Sequence, residues 1–166
     1  MSGEDLYNEI GYDQATLIKQ DNAYKNTCAT RMSLALIKSG VLFDGRLPIK
    51  KGKYKGRKVE SGAKLLADQL AKPQILGKPK IFDAADAPAK LAGKKGIVFF
   101  RKIDGYGGSH IDLIETANSM HVCNSACYFS SKEVVLAAGL IRVFIVHEPP
   151  QHYFIGSSRD LSAANL

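Results

Sequence analysis

The segment Thr27-Cys28-Ala29-Thr30-Arg31-Met32-Ser33-Leu34-Ala35-Leu36-Ile37 constrains this chain more than any other. Met32, Leu36 and Ile37 recur at helical spacing, so an amphipathic helix runs from Cys28 to Ser39 and its apolar stripe must be covered by other elements. Thr27 is a suitable cap and Gly40 a suitable stop. Cys28 therefore opens the helix. The unpaired amides and macrodipole of a helix N-terminus favour a thiolate over a thiol, so a cysteine placed there is a candidate nucleophile.

The elements available to cover that stripe indicate an α+β fold with N-terminal helices packed on an antiparallel sheet. Ser2 caps a short helix through Leu6 and Ile10, Ser61 caps another through Leu65, Leu66 and Leu70, and Asp83 or Asp86 starts a third that tolerates Pro88 in its first turn. Gly96–Phe100 reads as a buried strand. Residues 110–115 and 120–124 read as a hairpin turning at Ala117-Asn118, followed by a short helix at 131–135 and a strand over 140–147. Pro149-Pro150 ends that strand, and residues 150–166 read as a loose tail. No linker or repeat divides residues 1–166, so one catalytic domain is expected, carrying a long polar insertion at about 44–60.

Composition narrows the partners. A chain of 166 residues with 45% hydrophobic content can build one core, and no apolar run is long enough to span a bilayer. The acidic start Met1-Ser2-Gly3-Glu4-Asp5 has no hydrophobic stretch, so synthesis in a cytoplasm without a signal peptide is expected. A net charge of +7 favours an anionic partner. Seven cations lie between Arg46 and Lys58 with Tyr54 among them. A nucleic-acid-binding module is therefore an alternative reading from another class, beside a plain solvated loop. Aromatic stacking platforms are sparse and no recognition-helix pattern appears, so no nucleic acid and no membrane are expected as partners.

A base for Cys28 is offered by Gly105-Tyr106-Gly107-Gly108-Ser109-His110-Ile111-Asp112-Leu113-Ile114. A glycine-rich loop lets backbone pass close to a substrate, and His110 opens the strand that follows it. Cysteine on a helix start with histidine on a later strand is the arrangement of papain-like hydrolases, although the papain signature around the cysteine is missing. If the hairpin turns at Ala117-Asn118, His110 faces Ser125 and Asp112 faces Cys123. Ser125 is a weak orienter of an imidazole because it carries no charge. Asn124, after a one-residue slip, and Asp112, two residues along on the same face as His110, are the alternatives.

Cys123 and Cys127 have three readings. They form a small disulfide loop suited to an oxidising destination, half of a metal site with His121, or two free thiols. No second ligand pair has zinc-type spacing, so neither a metal nor any other cofactor is expected. His121, His147 and His152 read as structural or surface residues, and Arg31 as a residue lying beside the helix start.

The segments N-T-C-A-T-R-M-S-L-A-L, G-K-K-G-I-V-F-F and G-S-H-I-D-L, with the C-x-x-x-C after them, resemble the type VI secretion amidase effectors. These are bacterial toxins of papain-like NlpC/P60-type fold, and the likeness runs over most of residues 20–150. It implies cysteine amidase action on peptidoglycan stem peptides, with Cys28 as nucleophile, His110 as base and Cys123–Cys127 as a disulfide. The nearest subfamily implies cleavage of the γ-D-glutamyl–meso-diaminopimelate amide; related ones cut the diaminopimelate–D-alanine crosslink. That subfamily places an aspartate between the two cysteines, where this chain has Ser125. Asn26, with the Cys28 amide, is the expected oxyanion donor. The resemblance further implies a type VI secretion carrier, action in the periplasm of a target bacterium, and a cognate immunity protein.

Overall fold

The computed structural model describes residues 1–83, 85–92, 96–103, 108–114 and 128, together with the backbone of strand 141–144. Four helices precede the first strand of the main sheet: α1 (Gly3–Ile10), α2 (Gln14–Gln20), α3 (Cys28–Lys38) and α4 (Ala63–Leu70). A 3-10 turn over Asn22–Lys25 leads into α3, and a small hairpin of β1 (Leu47–Pro48) and β2 (Lys58–Val59) lies between α3 and α4. The main sheet takes β3 (Lys80–Phe82), β4 (Gly96–Ile103), β5 (Gly108–Ile114) and β6 (Ile141–Phe144), with α5 (Ala87–Leu91) between β3 and β4. All its pairings are antiparallel and its order is β3-β6-β4-β5. The α+β expectation holds.

Helix α3 sits between two apolar clusters. Ala29, Met32 and Leu36 pack with Leu66, Leu70, Ile97, Phe99 and Ile111, so this face joins α4 and the sheet. Leu34 and Ile37 pack with Leu6, Tyr7, Ile10, Leu17, Ile49 and Val59. The stripe of Met32, Leu36 and Ile37 is buried as its spacing requires, and Leu34 widens it into a helix covered on two sides.

Local chemistry sets most ends. Ser2 and Asp5 form a reciprocal capping box on α1, whose C-cap Gly11 adopts φ 90°. Asp13 caps α2, a helix absent from the sequence reading, by accepting from the Thr16 amide. Two expected caps are corrected. Gly62, not Ser61, precedes α4, and it offers no side chain to the first turn. Thr27 precedes α3 but makes no side-chain cap; its Oγ1 accepts instead from Arg31 Nε at 3.0 Å, while Arg31 Nη1 donates to the Met1 carbonyl. The first-turn amides of α3 thus receive nothing from Thr27.

The polar insertion at about 44–60 is a built hairpin. Ile49 donates to the Arg57 carbonyl and accepts from the Gly56 amide, Lys50 donates to the Ile10 carbonyl, and the Ile49 side chain is buried. The basic residues therefore ride on a framework tied into the core. The expected hairpin at 117–118, the helix at 131–135, the tail, and Asn124, Ser125, Cys123, Cys127, His121, His147 and His152 lie outside the described residues.

Candidate active site

Cys28 and His110 are brought together by the packing of α3 on β5. Cys28 is the first residue of α3 and half-buried, and its side chain lies near enough to His110 to help hold the imidazole's proton. His110 lies in β5 opposite Phe100 of β4 and is only 6% exposed. Between Phe100 and Ile103 the ladder shifts register, with Lys102 in the left-handed region at φ 51°. A bulge bends a strand locally, and this one lies next to the pairing that carries the histidine.

Asp112 lies two residues along β5, on the same face, and is 5% exposed. Its Oδ2 is 3.6 Å from His110 Nε2, and its Oδ1 accepts from the Leu113 amide at 2.8 Å. One oxygen is anchored by backbone and the other faces the imidazole. The ring is also enclosed by aromatics. Phe100 stacks at 6.3 Å between centroids, and Tyr128 meets it edge-on at 5.1 Å. Burial alone would pull the His110 pKa down. The Asp112 carboxylate and the Cys28 side chain, which favour the protonated ring, outweigh it and push His110 up to about 9.

Cys28 opens onto a cleft of about 710 Å³ whose walls include Asn26, Lys25, Ser61, Gly62, Gly108 and Ser109. That volume suits a peptide-sized ligand. Asn26 lines the same cleft as Cys28. Gly108, the glycine of the G-S-H-I-D-L segment, borders the opening. Among the described residues no group of His, Cys, Asp and Glu could hold a metal ion, and no helix is long and apolar enough to cross a membrane.

A family profile described as type VI secretion system (T6SS), amidase effector protein 4 (Tae4) matches residues 24–137, more than half of the chain and inclusive of Cys28, His110 and Asp112. The chain belongs to this family. Solved Tae4 structures share its fold. Tae4 from Enterobacter cloacae superposes with a TM-score of 0.62 at 20% identity, over 89% of this chain and 88% of the other. Tae4 from Salmonella typhimurium, crystallised with the immunity protein Tai4 of E. cloacae, gives 0.60 at 19% identity over 89% and 91%. The E. cloacae Tae4–Tai4 complex gives 0.56 at 22% identity over 88% and 96%. No curated protein matches the chain at a significant level.

Of the residues singled out in sequence, Asn26 and Cys28 line the cleft, and His110 and Asp112 are buried next to Cys28 on the strand that begins with the cleft-lining Gly108 and Ser109. The aromatic enclosure by Phe100 and Tyr128 went unread. Phe100 could have been found from the pairing of Gly96–Phe100 with the histidine strand; Tyr128 carries no local signal.

Proposed function

We propose that this Tae4-family amidase effector hydrolyses an amide of peptidoglycan stem peptides, with Cys28 as nucleophile, His110 as proton carrier and Asp112 as the residue that positions His110. The observation supporting this is the approach of α3 and β5 that sets Cys28, at the cleft, near the buried His110, with an Asp112 carboxylate oxygen 3.6 Å from Nε2. A histidine pushed up to about 9 holds its proton at neutral pH. The sulfur attacks the amide carbonyl carbon, and the carbonyl electrons move onto oxygen. The Cys28 amide and Asn26 receive that oxyanion, each donor worth roughly 3 kcal/mol in such sites. His110 then gives its proton to the leaving amine as the C–N bond breaks. Water, deprotonated by His110, attacks the thioester and releases the acid and the thiolate.

The bond cut, in this reading, is γ-D-glutamyl–meso-diaminopimelate. Asp112 supplies the carboxylate that the subfamily pattern would place at Ser125, which leaves Ser125 and Asn124 subordinate. The same proposal covers residues 1–166 as one catalytic domain, export by a type VI secretion carrier, action in the periplasm of a target bacterium, a Cys123–Cys127 disulfide formed there, and inhibition by a cognate immunity protein that covers the cleft.

Digestion of purified peptidoglycan, followed by mass spectrometry of the fragments, tests this. The wild-type protein is expected to release fragments with a new diaminopimelate amino terminus, and Cys28→Ala to release none while keeping its circular dichroism spectrum. Turnover by Cys28→Ala would overturn the nucleophile, and fragments ending elsewhere would overturn the bond.

A further inference from the structure

A second cavity of about 170 Å³ opens beside the catalytic cleft and shares Ala23, Ser61 and Gly62 with it. Among the described residues Arg46 is the only cation lining this arm. Its guanidinium is held in one plane by Glu60: Nε donates to Oε1 and Oε2 at 3.1 and 3.0 Å, and Nη2 to Oε1 at 2.7 Å. Glu60 is itself fixed. Its Oε1 accepts from the Gly62 amide at 2.7 Å, and its backbone exchanges two 3.0 Å hydrogen bonds with Ser33 of α3. The two partners differ sharply in exposure, with the Glu60 side chain at 3% and that of Arg46 at 62%.

A buried carboxylate thus orients an exposed guanidinium whose Nη1 makes no hydrogen bond among the described residues. Arginine presents a rigid fork that matches carboxylates, and a fork locked in advance loses little freedom on binding one. Gly62 keeps the arm open, because a Cβ there would lie 3.1 Å from Arg46 Nη2 and 3.2 Å from Glu60 Oε1. Among the described residues Asp21 is the one acid in the lining, and its Oδ1 already accepts from the Ala23 amide at 2.8 Å.

The geometry points to this arm as a carboxylate subsite of the amidase, in which Arg46 receives a free carboxylate of the stem peptide next to the scissile amide. The inference rests on the amidase reading above. Two carboxylates flank a γ-D-glutamyl–diaminopimelate amide: the glutamyl α-carboxylate and the distal carboxylate of diaminopimelate.

Three synthetic stem peptides distinguish them, one unmodified, one amidated at the glutamyl α-carboxyl and one amidated at the distal diaminopimelate carboxyl. Wild-type protein is expected to lose about tenfold or more in kcat/KM, mainly through KM, on one of the two amidated peptides. In the paired variant Arg46→Gln/Glu60→Gln, which removes both charges together, the ratio between that peptide and the unmodified one should fall to within about twofold of one. The sensitive peptide names the source of the carboxylate. Should the paired variant not fold, Arg46→Lys keeps a charge on Glu60 but loses the fork, and the ratio must still shrink. Equal cleavage of all three peptides by the wild type, or undiminished discrimination in the variants, overturns the subsite while leaving the amidase intact. Cleavage of none by the wild type overturns the amidase reading and the subsite with it.

Discussion

Replacing Asp112 by Asn removes a charge while preserving shape, and its effect should be read first in the titration of His110. The carboxylate oxygen stands 3.6 Å from Nε2, where a full charge pair is worth about 5 kcal/mol gross at an effective dielectric near 20. Both groups are buried, and desolvation takes back much of that. The shift a neighbouring carboxylate produces in practice is about 1–3 units. From a starting value of about 9, Asp112→Asn should therefore bring His110 to about 6–8. At pH 8 the wild-type imidazole is about nine-tenths protonated; after a two-unit drop it is about one-tenth protonated, so the rate should fall about tenfold from protonation alone.

The assay is the pH dependence of kcat/KM on a stem peptide, supported by NMR titration of the ring. The alkaline limb near pH 9 should move toward neutrality in Asp112→Asn and stay in place in Ser125→Ala. Stability carries the same signature. The folded pKa of His110 is raised above the unfolded value of about 6.5, so this group's contribution is complete below that value and is lost as pH rises through about 9. Urea unfolding of the wild type should weaken between those limits, and Asp112→Asn should flatten the fall. If the alkaline limb stays near 9 without Asp112, or moves when Ser125 is changed, Asp112 does not govern this imidazole.

Two further perturbations probe the frame that supports the cleft. Gly45→Ala would drive a Cβ into the Val59 carbonyl carbon and put it 2.7 Å from the Lys58 carbonyl oxygen, both backbone; we expect a loss of about 1–3 kcal/mol in urea unfolding, and a change below about 0.5 kcal/mol would refute the close approach. Ser33→Ala removes both hydrogen bonds to the Glu60 backbone inside the core, so it should cost about 1–3 kcal/mol and raise KM more than it lowers kcat, whereas an unchanged midpoint would show that Glu60 is held without it.

The parts of the site readable from sequence are those fixed by short-range periodicity. Cys28 opens a helix because Met32, Leu36 and Ile37 lie on one stripe, and His110 opens a strand because the residues after it alternate. The helix α1 follows from Ser2 and Asp5 in the same way. The hairpin at 46–59 was hidden because its charged composition reads as a solvated loop. Its order comes from Ile49 and Val59 reaching a core shared with Leu6 and Ile37, and from Gly52 and Gly56 at φ 77° and 91°. The Thr27 cap failed for a similar reason: its hydroxyl has a tertiary competitor in Arg31, and no local pattern reports one.

Under the proposed mechanism, the choice between Asp112 and Ser125 turns on what a cysteine amidase needs beside its histidine. Ring orientation and a compensating charge are required, whatever segment supplies them. An aspartate two residues from the histidine on one strand has its distance set by the pleat, which puts both side chains on the same face. Here that geometry is reinforced, because the Leu113 amide holds one carboxylate oxygen while the other faces Nε2. A carboxylate fixed by the strand that carries the histidine does not depend on how a separate segment packs against it. A serine at position 125 is then compatible with a working Cys–His pair, because the charge that holds His110 up to about 9 already comes from Cys28 and Asp112.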